Sequence, residues 1–175
     1  MKNILLFTLS LTITLFGFAQ ESTLKLKSGE FFLVNDNQLE IIDNIKYYFM
    51  SFSAIPTIEE RNEIANLGVT FLEYIPNITY VVSLDKDCEL STIANYGVIA
   101  MSPIEAKHKL DPKIQNNNYP KWAVNDEKLS IKVLLYKDVN LSVTQEIFKS
   151  NGYKIDATNL MSNSITIIIN ASELS

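Results

Sequence analysis

The chain has 175 residues, of which 47% are hydrophobic and 20% charged. That balance excludes a disordered chain and leaves room for one ordinary domain or two small ones. A net charge of -5 excludes the basic stripe that a nucleic-acid partner requires to displace phosphate counterions, and the single cysteine, Cys88, excludes an intrachain disulfide.

In chain order, residues 1–19 (MKNILLFTLSLTITLFGFA) carry one early lysine, an apolar run too short for a comfortable membrane span, and the small-x-small ending Gly17-Phe18-Ala19. This reads as a cleaved export signal. The mature chain is expected to begin near Gln20 and to act in the periplasm, outside the cell or at its surface, with no membrane attachment after cleavage. Without disulfides, an exported fold must be held by its core alone. Residues 20–45 form a lead-in in which LKLKSG alternates and FFLV is apolar, a strand or hairpin turning at Ser28-Gly29.

Residues 46–103 read as strand, helix, strand, strand, helix, strand, the order of a ferredoxin-like βαββαβ module. Tyr47-Tyr48-Phe49-Met50 is apolar at consecutive positions, which predicts a strand covered on both faces. Thr57 and Glu60 form a capping box for a helix over Ile58 to Leu67, which Gly68 ends. Val69 to Tyr74 and Tyr80 to Leu84 flank the turn Ile75-Pro76-Asn77-Ile78. Asn77-Ile78-Thr79 also fits a glycosylation sequon, a match frequent by chance. Cys88 reads as a small, mostly buried residue at a helix start. Leu90 to Tyr96, stopped by Gly97, and Val98 to Met101 complete the six elements.

Residues 104–128 read as a surface linker with Trp122 as its docking anchor. Lys107, His108, Lys109 and Lys113 cluster there. With acids close by and no interleaved aromatics, they read as a solvated stretch in preference to an anion site.

Residues 129–175 repeat the first module. LSIKVLLY is a strand, Ser142 to Gln145 fits a capping box, and Tyr153 to Ala157 and Ser164 to Asn170 are two more strands. Tyr136 to Gly152 and Phe52 to Gly68 both span 16 positions. The second copy stops at Asn170-Ala171-Ser172, before its last helix and strand, and is expected to leave one sheet edge open and one surface partly bare. The fold class expected is therefore α+β, with tandem ferredoxin-like modules of which the second is incomplete.

No catalytic residues stand out. The one histidine lies in the linker, no two of the five glycines are close enough for a nucleophile elbow or phosphate loop, and one histidine with one cysteine makes no metal site. Glu59 and Glu60 are accounted for by the helix dipole. No cofactor is expected.

One resemblance supplies a function. KYYFMSFSAIPTIEERNEIANLGVTFLEYIPNITYVVSL, followed by LSTIANYGVIAMSPIEAKHKLDPKI, resembles the N-terminal prosegment of exported subtilisin-like serine peptidases of the Bacteroidetes kind. The most specific piece is L-x-Y-I-P-N-x-T-Y after L-G. IKVLLYKDVNLSVTQEIFKSNGYKI is similar to the segment that follows in those peptidases. The resemblance implies a folded propeptide that templates folding of a catalytic domain in cis and blocks its cleft until cleaved. That domain is expected beyond Ser175, since no subtilisin motif lies within the chain.

Helices on one side of an open sheet leave the other side free for that partner. Tyr47, Tyr48, Phe49 and Met50 are the candidate partner-facing strand, unless the LKLKSGEFFLV segment or the second module covers it. Two other readings stay open: a non-catalytic binding or assembly module of a secreted or cell-surface protein, and a free-standing peptidase inhibitor.

Overall fold

The computed structural model describes residues 22–33 and 46–174, so the expected export signal lies outside the described residues. The fold class is α+β, with three antiparallel sheets. Strands β1 (Ser22–Leu26) and β2 (Gly29–Leu33) form a hairpin in which Leu24 stands opposite Phe31. Its turn is at Lys27-Ser28, one residue before the expected Ser28-Gly29, because Gly29 already pairs with Leu26.

The next sheet holds β3 (Tyr47–Phe52), β4 (Val69–Ile75), β5 (Thr79–Leu84) and β6 (Val98–Pro103) in the order β4-β5-β3-β6. Helix α1 (Ile58–Asn66) links β3 to β4, and α2 (Leu90–Ile93), extended by a tight turn over Ala94–Tyr96, links β5 to β6. This is the strand order of a ferredoxin-like split βαβ unit.

Local chemistry fixes these elements. Thr57 Oγ1 accepts the Glu60 N–H at 3.1 Å while Glu60 Oε2 accepts the Thr57 N–H at 2.7 Å, closing the capping box. Gly68 has φ +93°, and a Cβ there would lie 3.2 Å from Cys88 Cα, so conformation and space both demand glycine. At the β4–β5 turn the left-handed residues are Asn77 (φ 69°) and Ile78 (φ 55°). A β-branched residue is strained there, by about 1–2 kcal/mol. The Ile78 side chain packs against the core on the helix side of the sheet, which offsets that strain.

The consecutive apolar residues of β3 have a simple cause: both faces of the strand are covered. Tyr48, Met50 and Phe52 face the helices and pack with Ile64, Val82 and Ile93. Phe49 faces the other way and packs with Val81, Ala100 and Leu72. Leu24 and Leu33 of the hairpin, 1% and 3% exposed, close that second core. The expectation of a bare sheet face on the first module is therefore corrected. Burying two leucines there is worth roughly 1.5–3 kcal/mol each, enough to hold a small hairpin down.

After Ile104 the chain makes two one-turn helices, α3 (Ala106–Lys109) and α4 (Pro112–Gln115), then a tight turn over Lys121–Ala123. Trp122 is 84% exposed and anchors nothing among the described residues, contrary to the sequence expectation. The third sheet holds β7 (Val124–Asn125), β8 (Lys128–Leu134), β9 (Lys154–Asn159) and β10 (Ser164–Asn170) in the order β7-β8-β10-β9, with α5 (Leu141–Ser150) between β8 and β9.

Strands β8, β9 and β10 thus stand to one another as β3, β4 and β5 do. The helix α5 begins two residues earlier than the Ser142 capping box implies. Asn140 is the N-cap, its side-chain oxygen accepting the Val143 N–H at 3.1 Å. Leu141, the first helical residue, packs into the core of Leu129, Ile165, Ile167 and Ile169, and this pulls the helix start toward it.

Candidate functional site

The proposed partner-facing strand is β3, and the structure places its four residues in three environments. Tyr48 and Met50 are fully buried beneath the helices, and Phe49 is 2% exposed beneath the hairpin. Only Tyr47 is half-buried, and it sits where the two large sheets meet. The strand is interior, so it is corrected as an exposed surface. The physical reason is the lead-in hairpin: its alternation puts Leu24 and Leu33 on one face, and the face of β3 that lacks helices is where they find apolar area.

The hairpin is in turn strapped by the segment read as a solvated linker. The His108 ring lies edge-on to Phe31 of β2, centroids 4.5 Å apart, and edge-on to Phe49 of β3 at 5.4 Å. Its Nδ1 accepts the Glu105 N–H at 3.0 Å, and its carbonyl accepts the Ser28 hydroxyl at 2.8 Å. Lys27 pairs with Asp111, whose carboxylate also caps α4 at the Lys113 N–H. Gln115 Nε2 donates to the Lys107 and Leu110 carbonyls, holding α3 and α4 together.

Desolvation holds the imidazole below its ordinary pKa, Lys107 and Lys109 lower it further, and Glu105 opposes them. The basic cluster is thus dispersed: Lys107 pairs with Glu105 at 3.1 Å, and His108 serves as a wedge between two phenyl rings.

A second constellation was not visible in the sequence. Asp138, in the loop after β8, accepts Lys46 Nζ at 2.7 Å and the Tyr47 hydroxyl at 3.3 Å, and the Tyr47 and Tyr136 rings lie 4.4 Å apart, tilted by 35°. Burial works to raise the Asp138 carboxyl. Hydrogen bonds from Lys46, Ser83 and Tyr47 outweigh it and hold the pKa below the usual carboxylate value. The Lys46 ammonium is raised, first by its bond to Asp138. Burial pushes the Tyr136 phenol up to about 12, with the negative charges of Glu73 and Asp138 adding to it. Chemically this is a clasp joining two sheets, with a cation, a carboxylate and two rings. No periodicity announces it, because Asp138 belongs to a loop and its hydrogen-bonding partners Lys46 and Tyr47 precede it by 92 and 91 residues.

The remaining sequence candidates take structural roles. Cys88 is half-buried before α2, and burial, then Asp85 and Glu89, push its thiol up to about 11, so it is a poor nucleophile at neutral pH. In the sequon, Asn77 Nδ2 donates to the Thr23 carbonyl at 2.8 Å, and Thr79 is 1% exposed with its hydroxyl 2.6 Å from that of Ser51. The folded protein thus hides the threonine a glycosylating enzyme reads. Among the described residues no three His, Cys, Asp or Glu side chains gather in a way that could hold a metal ion, and no helix is long and apolar enough to cross a membrane.

Against known proteins, residues 20–105 match the model of a family described as "Domain of unknown function (DUF8729)". No curated protein and no solved structure matches the chain. The matched stretch takes in the hairpin together with the β4-β5-β3-β6 sheet and stops before α3.

Proposed function

We propose that this chain is the non-catalytic N-terminal prosegment of a secreted subtilisin-like serine peptidase, acting as folding chaperone and temporary inhibitor of a catalytic domain in cis. The observation that carries the reading is the stretch Leu67-Gly68-Val69 followed by Leu72-Glu73-Tyr74-Ile75-Pro76-Asn77-Ile78-Thr79-Tyr80, which resembles the prosegments of those peptidases. The geometry is compatible with it: this stretch forms β4, its turn and the start of β5, a rigid hairpin on a preformed sheet. A template needs that kind of preorganised surface.

The hairpin over Phe49 alters how such a prosegment would engage its partner. The docking area is not the sheet face on the hairpin side, which is closed. It comprises the exposed edges and helices, or the hairpin must lift.

The test is to mix residues 20–175 with a separately refolded subtilisin-type catalytic domain. Slow, tight inhibition and a raised yield of active enzyme are expected. If the chain neither inhibits nor improves refolding, the prosegment reading is overturned. A binding or assembly module is then the better account.

A further inference from the structure

Arg61 is the chain's only arginine; every other permanently cationic side chain is a lysine. It stands on α1 without an acid beside it. The residues three and four positions away, where an ionic partner on the same helix face would sit, are Thr57, Ile58, Ile64 and Ala65. The acids of the helix are engaged or turned away: Glu60 closes the capping box, Glu63 bonds Tyr96, and Glu59, two positions from Arg61, lies on the opposite face. None of the ion pairs among the described residues includes Arg61. Its Nε is shut off from water and bonds to no group there. An enclosed donor on a charged group with no acceptor is rare and calls for a reason.

The surroundings supply one. Arg61 lines a pocket of about 320 Å³ between α1 and β4, within the size range of small-ligand sites. Ile58, Ala65, Val69 and Phe71 form its apolar wall, and Asn62 adds an amide beside the guanidinium. Ile58 stays 64% exposed at this wall although it opens the helix's apolar stripe. A lysine serves where a surface charge is enough, as it does elsewhere in this chain, whereas the planar guanidinium fork grips both oxygens of a carboxylate. No second cation lines the pocket, so a single negative charge is matched there and a phosphate dianion is not.

We infer that the pocket between α1 and β4 binds a small organic monocarboxylate with a short apolar body. The carboxylate sits on the Arg61 guanidinium and the Asn62 amide, and the body lies against Ile58, Val69 and Phe71. The inference rests on this pocket and stands whether or not the chain is a prosegment.

The test titrates residues 20–175 with hexanoate and, separately, with hexanol, which has the same apolar body and no charge, and reads the Arg61 Nε–H and the Ala65 and Val69 amides by NMR. Hexanoate is expected to shift these signals saturably and to bind at least about tenfold more tightly than hexanol. Arg61→Met keeps a good helix former of similar length and is expected to weaken hexanoate by about tenfold or more. Ala65→Trp fills the pocket while leaving the guanidinium in place, and is expected to weaken it as much, so the question stays decidable even if Arg61→Met folds poorly.

Equal binding of hexanol and hexanoate would overturn the inference, since it means apolar adhesion without charge recognition. So would undiminished hexanoate binding in both variants, which places the acid elsewhere on the protein. The third contrary result concerns the source of the carboxylate. If hexanoate binds only after Asp36→Asn, Glu40→Gln and Asp43→Asn are introduced together, the site belongs to an acid of this chain and not to a free ligand. Absence of saturable shifts in both that triple variant and the natural sequence overturns the inference outright.

Discussion

His108 shows how much one side chain can carry. A neutral ring between Phe31 and Phe49 fits, and a proton would remove the Nδ1 acceptor that satisfies the Glu105 N–H. The native pKa is lowered from its ordinary value of 6.5, so the unfolded chain binds the proton more tightly. Stability is therefore full above about pH 6.5 and falls as the pH drops toward the lowered native value, below which the loss levels off. The melting temperature of the full chain is expected to rise between about pH 5 and pH 7, and His108→Phe to flatten that rise. An unchanged slope in the variant would assign the dependence to other groups. The groups facing the ring are Lys107, Lys109 and Glu105 on its own segment and the two phenyl rings across from it. In the sequence His108 was a polar residue in a charged stretch. Local pattern reports which residues share a face of an element, and a short linker has no such face to read.

At the scale of elements, the hairpin is the informative case. The alternation of LKLKSG and the run FFLV made a strand pair legible, with its turn one residue out of place, because in-and-out periodicity is a local property. What the pair would cover was not legible, since that depends on which distant face has apolar area to spare. The same limit placed the α5 cap at Ser142 when Asn140 holds it: the capping pattern was real, and the packing of Leu141 decided between two acceptable starts. Leu24→Ala is expected to cost roughly 2–4 kcal/mol by denaturant titration, because the side chain is 1% exposed within a mixed aromatic and aliphatic core. It should also raise binding of an apolar dye, by baring Phe49 and Val81. A cost under about 0.5 kcal/mol, the range of surface substitutions, would show that the hairpin is not stably docked.

The whole molecule divides unevenly. The β4-β5-β3-β6 sheet is buried on both faces by two clusters, while the β7-β8-β10-β9 sheet has four buried apolar residues, on one face. Amides of β3 and β5 are accordingly expected to exchange most slowly and those of β9 much faster, as read by hydrogen exchange with mass spectrometry. Equal protection of the two sheets would mean that they unfold as one unit.

The clasp of Lys46, Tyr47, Tyr136 and Asp138 is what couples them. A double-mutant cycle of Lys46→Met with Asp138→Asn is expected to give a coupling of about 0.5–1 kcal/mol, discounted because Lys46 is half exposed. The coupling should shrink in high salt.

Trp122 has a practical consequence for all of this. It is the chain's single tryptophan, and it stands 84% exposed on the turn that leads into β7. The protein therefore contains one tryptophan fluorophore, placed outside every packed core described above. Its emission is expected to lie at the water-exposed, long-wavelength limit and to change little when the cores melt, so tryptophan fluorescence would under-report unfolding.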